Sequence, residues 1–159
     1  MVLVARRSSR SDVQFREVTD GLSRTLAFVE EAGRQRRFFQ GKPLAETAPG
    51  GATVLNAFYG DWNTARHARG LSGAAAGDPQ QAGCSVVNVL NDDNPYAFHA
   101  GGVSAVMGDG SVTFMAEAID AAVFTALVSR DGGGCRRGSD CEDLVAVTFS
   151  YTRDHMKPK

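Results

Sequence analysis

The sequence predicts an α+β domain: an antiparallel sheet carrying an Asp-Gly hairpin, packed by a C-terminal helix and rich in turns. Three observations predict it. Asp109-Gly110 stands between two strand-like runs within Val103 to Ala116, and that dipeptide suits a type I′ turn, which needs positive φ at both central positions. Ile119 to Arg130 carries Val123, Phe124, Leu127 and Val128 as an apolar stripe at helical spacing. Eighteen glycines, many in pairs or triplets such as Gly50-Gly51, Gly101-Gly102 and Gly132-Gly133-Gly134, punctuate the chain and keep its elements short.

Residues 1–12 are basic and serine-rich and read as a flexible lead-in; a single globular domain is expected over 13–151, followed by a tail over 152–159. Phe15 to Val18 reads as a short strand, and Thr19-Asp20-Gly21 as a turn. Thr25 to Glu31 fits a helix on propensity and a buried strand on pattern, and the strand is preferred. Gly33 to Lys42 is basic, with Phe38 and Phe39 embedded. Its cluster Arg34, Arg36, Arg37 and Lys42 reads as a solvated loop or strand edge, with a docking patch as the alternative. Residues 43–83 form a long irregular stretch, anchored by Phe58, Tyr59 and Trp62.

A two-residue turn at Asp109-Gly110 sets the expected register. Met107 then faces Val112, Ala105 faces Phe114 and Val103 faces Ala116, so Met107, Val112 and Phe114 share the buried face. Asp120 is the expected N-cap of the helix, Arg130 lies at its negative end and Asp131-Gly132 stops it. Leu144 to Tyr151 alternates as a final strand.

Composition restricts the function. The chain of 159 residues is 43% hydrophobic and 22% charged, which is ordinary for a globular protein and argues against wholesale disorder. A net charge of −1 argues against a nucleic-acid partner, which calls for a basic surface. No segment reaches the roughly 20 apolar residues that span a bilayer, and the opening Met-Val-Leu-Val-Ala-Arg-Arg is too short for a signal peptide, so no membrane contact is expected from this segment. Phosphate loops, dinucleotide fingerprints and zinc-protease helices are absent from the sequence.

Several residue sets are candidates for chemistry. Cys135 and Cys141 share one Gly-rich charged loop, where a disulfide would pin the chain; pairing of Cys84 with either is equally compatible with the sequence. The expectation carried forward is a Cys135–Cys141 bond, with Cys84 a free, largely buried thiol. Asn91, Asp92, Asp93 and Asn94 offer oxygen ligands suited to calcium, against the plainer reading of an Asx-rich turn before Pro95. They lack the spacing of a helix–loop–helix calcium loop, and no other cofactor is expected. Cys84 with His99 or His67 could be written as a thiol nucleophile and base, although no flanking signature supports it. Zinc held by Cys135, Cys141 and His155 would lack a fourth ligand. His99 and Asp109 bracket the first hairpin strand, about 30 Å apart at about 3.3 Å per residue, so they do not form a dyad. His99 is expected to be partly buried between Tyr96-Ala97-Phe98 and Ala100-Gly101-Gly102, hydrogen-bonding backbone and fixing the path into the hairpin.

Four stretches, in order, carry a family likeness. They are Val18-Thr19-Asp20-Gly21-Leu22-Ser23-Arg24-Thr25-Leu26 followed by Glu31-Ala32-Gly33-Arg34; the single Trp62 after a Gly-rich run; Cys84 with Asn88, Asn91 and Asn94-Pro95-Tyr96; and Phe98-His99-Ala100-Gly101-Gly102 followed by Asp109-Gly110-Ser111-Val112. Together they resemble the bacterial prepilin-like, pseudopilin-type family with a His-x9-Asp-Gly motif near the C-terminus, classed as a domain of unknown function. The resemblance runs from about Val13 to Gly134. It implies a pilin-head-like fold and an extracytoplasmic or cell-surface location, with an apolar anchor expected upstream of Met1. It also implies protein partners or self-assembly, and makes His99, Gly101, Gly102, Asp109 and Gly110 the structural motif. Val89 stands where the family often has a second cysteine, and residues 135–159 look like an extension. The function expected is a non-enzymatic structural or interaction domain. The alternatives are a calcium- or glycan-binding adhesin-like module and a small cysteine-dependent hydrolase.

Overall fold

A computed structural model describes residues 14–33, 36–44, 66–68, 70–73, 83–91, 94–131 and 147–149. The expected lead-in, the tail and most of the irregular 43–83 stretch lie outside them. The architecture is mixed α+β, with small antiparallel sheets and one α-helix among the described residues. No helix among them is long and apolar enough to cross a membrane.

The chain enters through two 3₁₀ turns, Phe15–Glu17 and Leu22–Arg24. The first replaces the strand expected over Phe15 to Val18. Gln14 and Glu17 close it reciprocally, the Gln14 N–H donating to the Glu17 carboxylate at 3.0 Å, and that capping draws the backbone into a turn. Strand β1, Leu26–Val29, follows as the pattern predicts. Short strands β2, Phe38–Phe39, and β3, Lys42–Pro43, pair with each other. Strand β4, Arg66–Ala68, pairs antiparallel with β7, Val147–Phe149, which lies inside the strand expected over Leu144 to Tyr151.

Strands β5, Gly102–Met107, and β6, Val112–Ala116, join β1 in a three-stranded sheet ordered β1-β5-β6. A bulge at Ala27 places Leu26 opposite Met107 and Phe28 opposite Val106. It explains why Leu26 and Val29, three residues apart, both point inward while Phe28 points out.

The hairpin corrects the expected register. Val106, not Met107, faces Val112; Ala105 faces Thr113 and Val103 faces Met115. The loop has three residues, Gly108, Asp109 and Gly110. Met107 N–H donates to the Ser111 carbonyl at 2.8 Å, and Gly110 N–H donates to the Met107 carbonyl at 3.0 Å. Asp109 avoids positive φ because its carboxylate accepts from the Ser111 N–H at 2.9 Å and hydroxyl at 2.6 Å, leaving Gly110 alone to take φ +85°. The one-residue shift turns β6 over. Met115 is buried, whereas Val112 and Phe114 are 74% and 55% exposed. On β5 the inward set Val103, Ala105 and Met107 is as expected.

Helix α1, Ala121–Val128, is shorter than the expected span. Asp120 caps it as predicted, accepting from the N–H groups of Ala122 and Val123 at 2.8 and 3.3 Å. Its buried face is Ala121, Phe124 and Val128, so Val123 falls outside the expected stripe. The backbone turns extended at Ser129, before the expected stop. Arg130, expected at the negative end of the helix, is buried, with its guanidinium 3.8 Å from Glu17 and 4.0 Å from Asp131. Its carbonyl accepts the Asp20 N–H at 3.0 Å, which ties the helix end to the entry turns.

The main core packs the inward faces of β1, β5 and α1 with Met115, Val86, Val87 and Ala97. A second cluster comprises Phe39, Leu71, Val89 and Leu90, with Leu44 packed against it. Burying side chains of this size contributes roughly 1.5–3 kcal/mol each before conformational entropy is set against it.

Candidate functional site

Three of the five motif residues, His99, Gly101 and Gly102, lie where the chain enters β5. Tyr96 is fixed first. Its N–H donates to the Glu30 carbonyl at 3.0 Å, and its carbonyl accepts the Ala32 N–H at 2.8 Å. The buried Tyr96 hydroxyl accepts the Gly41 N–H at 2.8 Å. Phe98 then turns outward, 58% exposed, packing edge-on against Phe38 and Tyr96 at ring distances of 4.9 and 5.7 Å.

His99 follows, and its position corrects one expectation. Its side chain is 47% exposed, and its partner is a carboxylate rather than backbone: Nε2 lies 3.0 Å from Glu30 Oε2. The same oxygen accepts the Ser104 N–H at 3.1 Å. Partial burial pushes the Glu30 carboxyl up, but the Ser104 N–H and the His99 bond and charge outweigh it, holding Glu30 below the ordinary range. An ionised carboxylate only accepts, so His99 Nε2 carries the proton of the shared bond. The imidazole tilts 35° against the Phe114 ring at 5.9 Å.

A second carboxylate holds the other side of the entry. Glu117 Oε1 accepts the Gly101 N–H at 3.1 Å and the Asn88 amide at 2.7 Å. Asn88 sits at φ +59°, a left-handed conformation that asparagine tolerates better than most residues. Its amide oxygen accepts the Ala97 N–H at 2.8 Å, and its nitrogen reaches the Gly102 carbonyl at 3.4 Å. Gly102 packs so closely on β6 that a Cβ would overlap the Met115 carbonyl oxygen. His99, Gly101 and Gly102 are therefore brought together, while Asp109 and Gly110 form the far tip of the hairpin and share no contact with them.

Glu30, Glu117 and Asn88 as clamps escaped sequence reasoning. Glu30 and His99 are separated by 69 positions and Glu117 and Gly101 by 16, and no local pattern joins them. Asn88 had a usable signal, an Asx residue able to take positive φ in a turn-rich stretch.

Two of the four members of the expected calcium set lie among the described residues. Asn91 is buried, its Oδ1 accepting the Phe38 N–H at 2.7 Å and its Nδ2 donating to the carbonyls of Arg36 and Ala32 at 2.8 and 3.2 Å. Asn94 is buried and donates to the Val86 carbonyl at 3.1 Å. Both amides hold backbone groups. Asp92 and Asp93 lie outside the described residues. Among the described residues no group of three or more His, Cys, Asp or Glu could hold a metal ion.

Cys84 is disulfide-bonded and exposed, not the free buried thiol expected, and a bonded sulfur is no nucleophile. Cys135, Cys141 and His155 lie outside the described residues. Of the two histidines offered as a base for Cys84, His67 lies in β4, and the one side-chain hydrogen bond of His99 among the described residues goes to Glu30.

A protein-family model described as "Protein of unknown function (DUF1559)" matches residues 2–122 of the chain. No curated protein and no solved structure matches it.

Proposed function

We propose a non-enzymatic structural or interaction role for this chain, which belongs to the family of proteins of unknown function DUF1559: it is the head of a prepilin- or pseudopilin-like protein displayed at the cell surface. The resemblance of the His99 to Gly110 region and of the three stretches before it to prepilin-like proteins supplies the class. The observation that carries the reading is the double use of Glu30 Oε2, bonded to both His99 and the Ser104 N–H. A histidine held by a carboxylate that is itself pinned to a strand fixes the chain path. Gly101 and Gly102 act in the same way, one held by Glu117 and the other pressed onto Met115. The motif thus shapes backbone, as a structural module requires.

The experiment is to express the gene with its native upstream sequence in its own bacterium. Intact cells are labelled with a membrane-impermeant reagent, and the N-terminus of the membrane-bound product is mapped by mass spectrometry. The expected result is a labelled protein whose mature N-terminus follows a prepilin-peptidase cut and opens an apolar segment. An unlabelled product with an uncut N-terminus overturns the reading.

A further inference from the structure

We propose that the free edge of β6 takes an extended segment of a protein partner as a fourth strand, and that this segment is apolar at its centre and basic at its flanks. The inference rests on reading the chain as an interaction domain, and it names the contact.

The backbone makes the first part of the case. Strand β6 ends the order β1-β5-β6. It bonds β5 through residues 111, 113, 115 and 117: Met107 N–H reaches the Ser111 carbonyl, Glu117 N–H reaches the Gly101 carbonyl, and Ala105–Thr113 and Val103–Met115 lie between them. In an antiparallel ladder the intervening residues turn their N–H and C=O groups the other way. These are Val112, Phe114 and Ala116. Among the described residues, the Ala116 carbonyl alone of these outward groups is taken, by the Ile119 N–H at 3.0 Å. Such a row is a template for another strand.

The second part is the space beside it. An open groove of about 630 Å³ runs along Ser111 to Ala116, and Ser23, Ile119 and Leu127 also line it. Thr113 lies on the same face as the buried Met115 yet is exposed, and Ile119 and Leu127 are only partly covered. An added strand would lay alternate side chains over Ile119 and Leu127, and would set the others flush with Val112 and Phe114.

Charge chooses the occupant. Among the described residues that line the groove there is no lysine or arginine. Asp109 before β6, and Glu117 and Asp120 after it, are exposed carboxylates whose partners are hydrogen-bond donors without charge. Two copies of β6 paired antiparallel would bring these acidic ends together, whereas basic flanks on a partner would match them.

The test uses the intact chain and three nonapeptides of alternating valine and threonine, flanked by paired lysines, flanked by paired glutamates, or lysine-flanked with a central proline. Binding is followed by titration and by amide hydrogen exchange. The lysine-flanked peptide is expected to bind roughly tenfold more tightly than the glutamate-flanked one at low salt, and to lose that margin as salt rises. It should slow exchange at the amides of Val112, Phe114 and Ala116, which point away from β5. Phe114→Pro removes one outward N–H without touching the β5 ladder and should abolish binding; D109N, which keeps a side-chain oxygen for Ser111 and removes the charge, should shrink the charge preference. Equal affinity for both flanked peptides, binding of the proline peptide, or an absence of protection at those three amides overturns the proposal. Protection that appears with protein concentration alone overturns it in favour of a second copy. Surface display of the protein is read by a separate experiment, so either result can fail without the other.

Discussion

Glu30 and His99, 69 positions apart, meet at 3.0 Å on the surface, and the carboxylate oxygen they share also holds the Ser104 N–H. The two partners therefore differ in what their removal exposes. His99→Ala loses an exposed pair of the kind that contributes about 0.2–1 kcal/mol. Glu30→Ala loses that pair and the acceptor of a strand N–H. Glu30→Ala should lower the melting temperature more than His99→Ala, and His155→Ala should leave it unchanged. Equal melting of the Glu30 and His99 variants would show that the Ser104 bond adds nothing.

The same carboxylate gives the pH dependence its sign. Glu30 titrates lower in the folded chain than the ordinary 4.5, since the Ser104 N–H and His99 outweigh partial burial. A depressed folded value means the stabilisation is complete above the unfolded pKa and is lost as pH falls through the folded one. Melts between pH 7 and pH 3 should show Glu30→Gln less stable than the parent near neutrality, with the gap narrowing as the acid limb is descended. A gap that widens in acid would contradict the depressed value.

Packing makes opposite demands on two phenylalanines. Phe124 is fully buried on α1, and Phe124→Ala should cost roughly 3–5 kcal/mol. Phe114 is 55% exposed on the outer face of β6, and Phe114→Ala should stay within about 0.5 kcal/mol of the parent. Denaturant unfolding of both variants checks the register directly. A large loss at Phe114 would restore the two-residue turn and the flipped strand that goes with it.

The register shows where sequence reasoning ends. Strand β1, the inward side of β5, the Asp120 cap and the last strand were legible because each depends on periodicity or on a local capping side chain. On β6 both faces carry apolar residues, Val112 and Phe114 against Met115, so pattern alone does not choose between registers one residue apart. The choice fell to Asp109, whose side chain captured Ser111 and left positive φ to Gly110 alone. In the candidate site the motif residues were visible, but their partners Glu30 and Glu117 were not, because only the folded sheet brings them near.

Cys84 carries a prediction about covalent structure. It is disulfide-bonded, and the other two cysteines of the chain are Cys135 and Cys141. Peptide mapping of oxidised protein without reductant should find the Cys84 peptide linked to one carrying Cys135 or Cys141. Recovery of an alkylated Cys84 together with a Cys135–Cys141 loop would overturn the bond at Cys84.

Asn91 separates a backbone clamp from a calcium ligand. Its oxygen serves the Phe38 N–H and its nitrogen serves the carbonyls of Ala32 and Arg36, all from a buried position. Asn91→Asp keeps the acceptor but replaces the two-bond donor with a second carboxylate oxygen facing those carbonyls. A buried polar group left without its partner costs about 1–3 kcal/mol, and more when it is charged. Asn91→Asp should therefore melt well below the parent, with or without millimolar calcium. A calcium ligand would behave in the opposite way, because an added negative charge strengthens the ion's site. If calcium raises the melting temperature of the parent, and raises that of Asn91→Asp further, the amide is a ligand and the clamp reading fails.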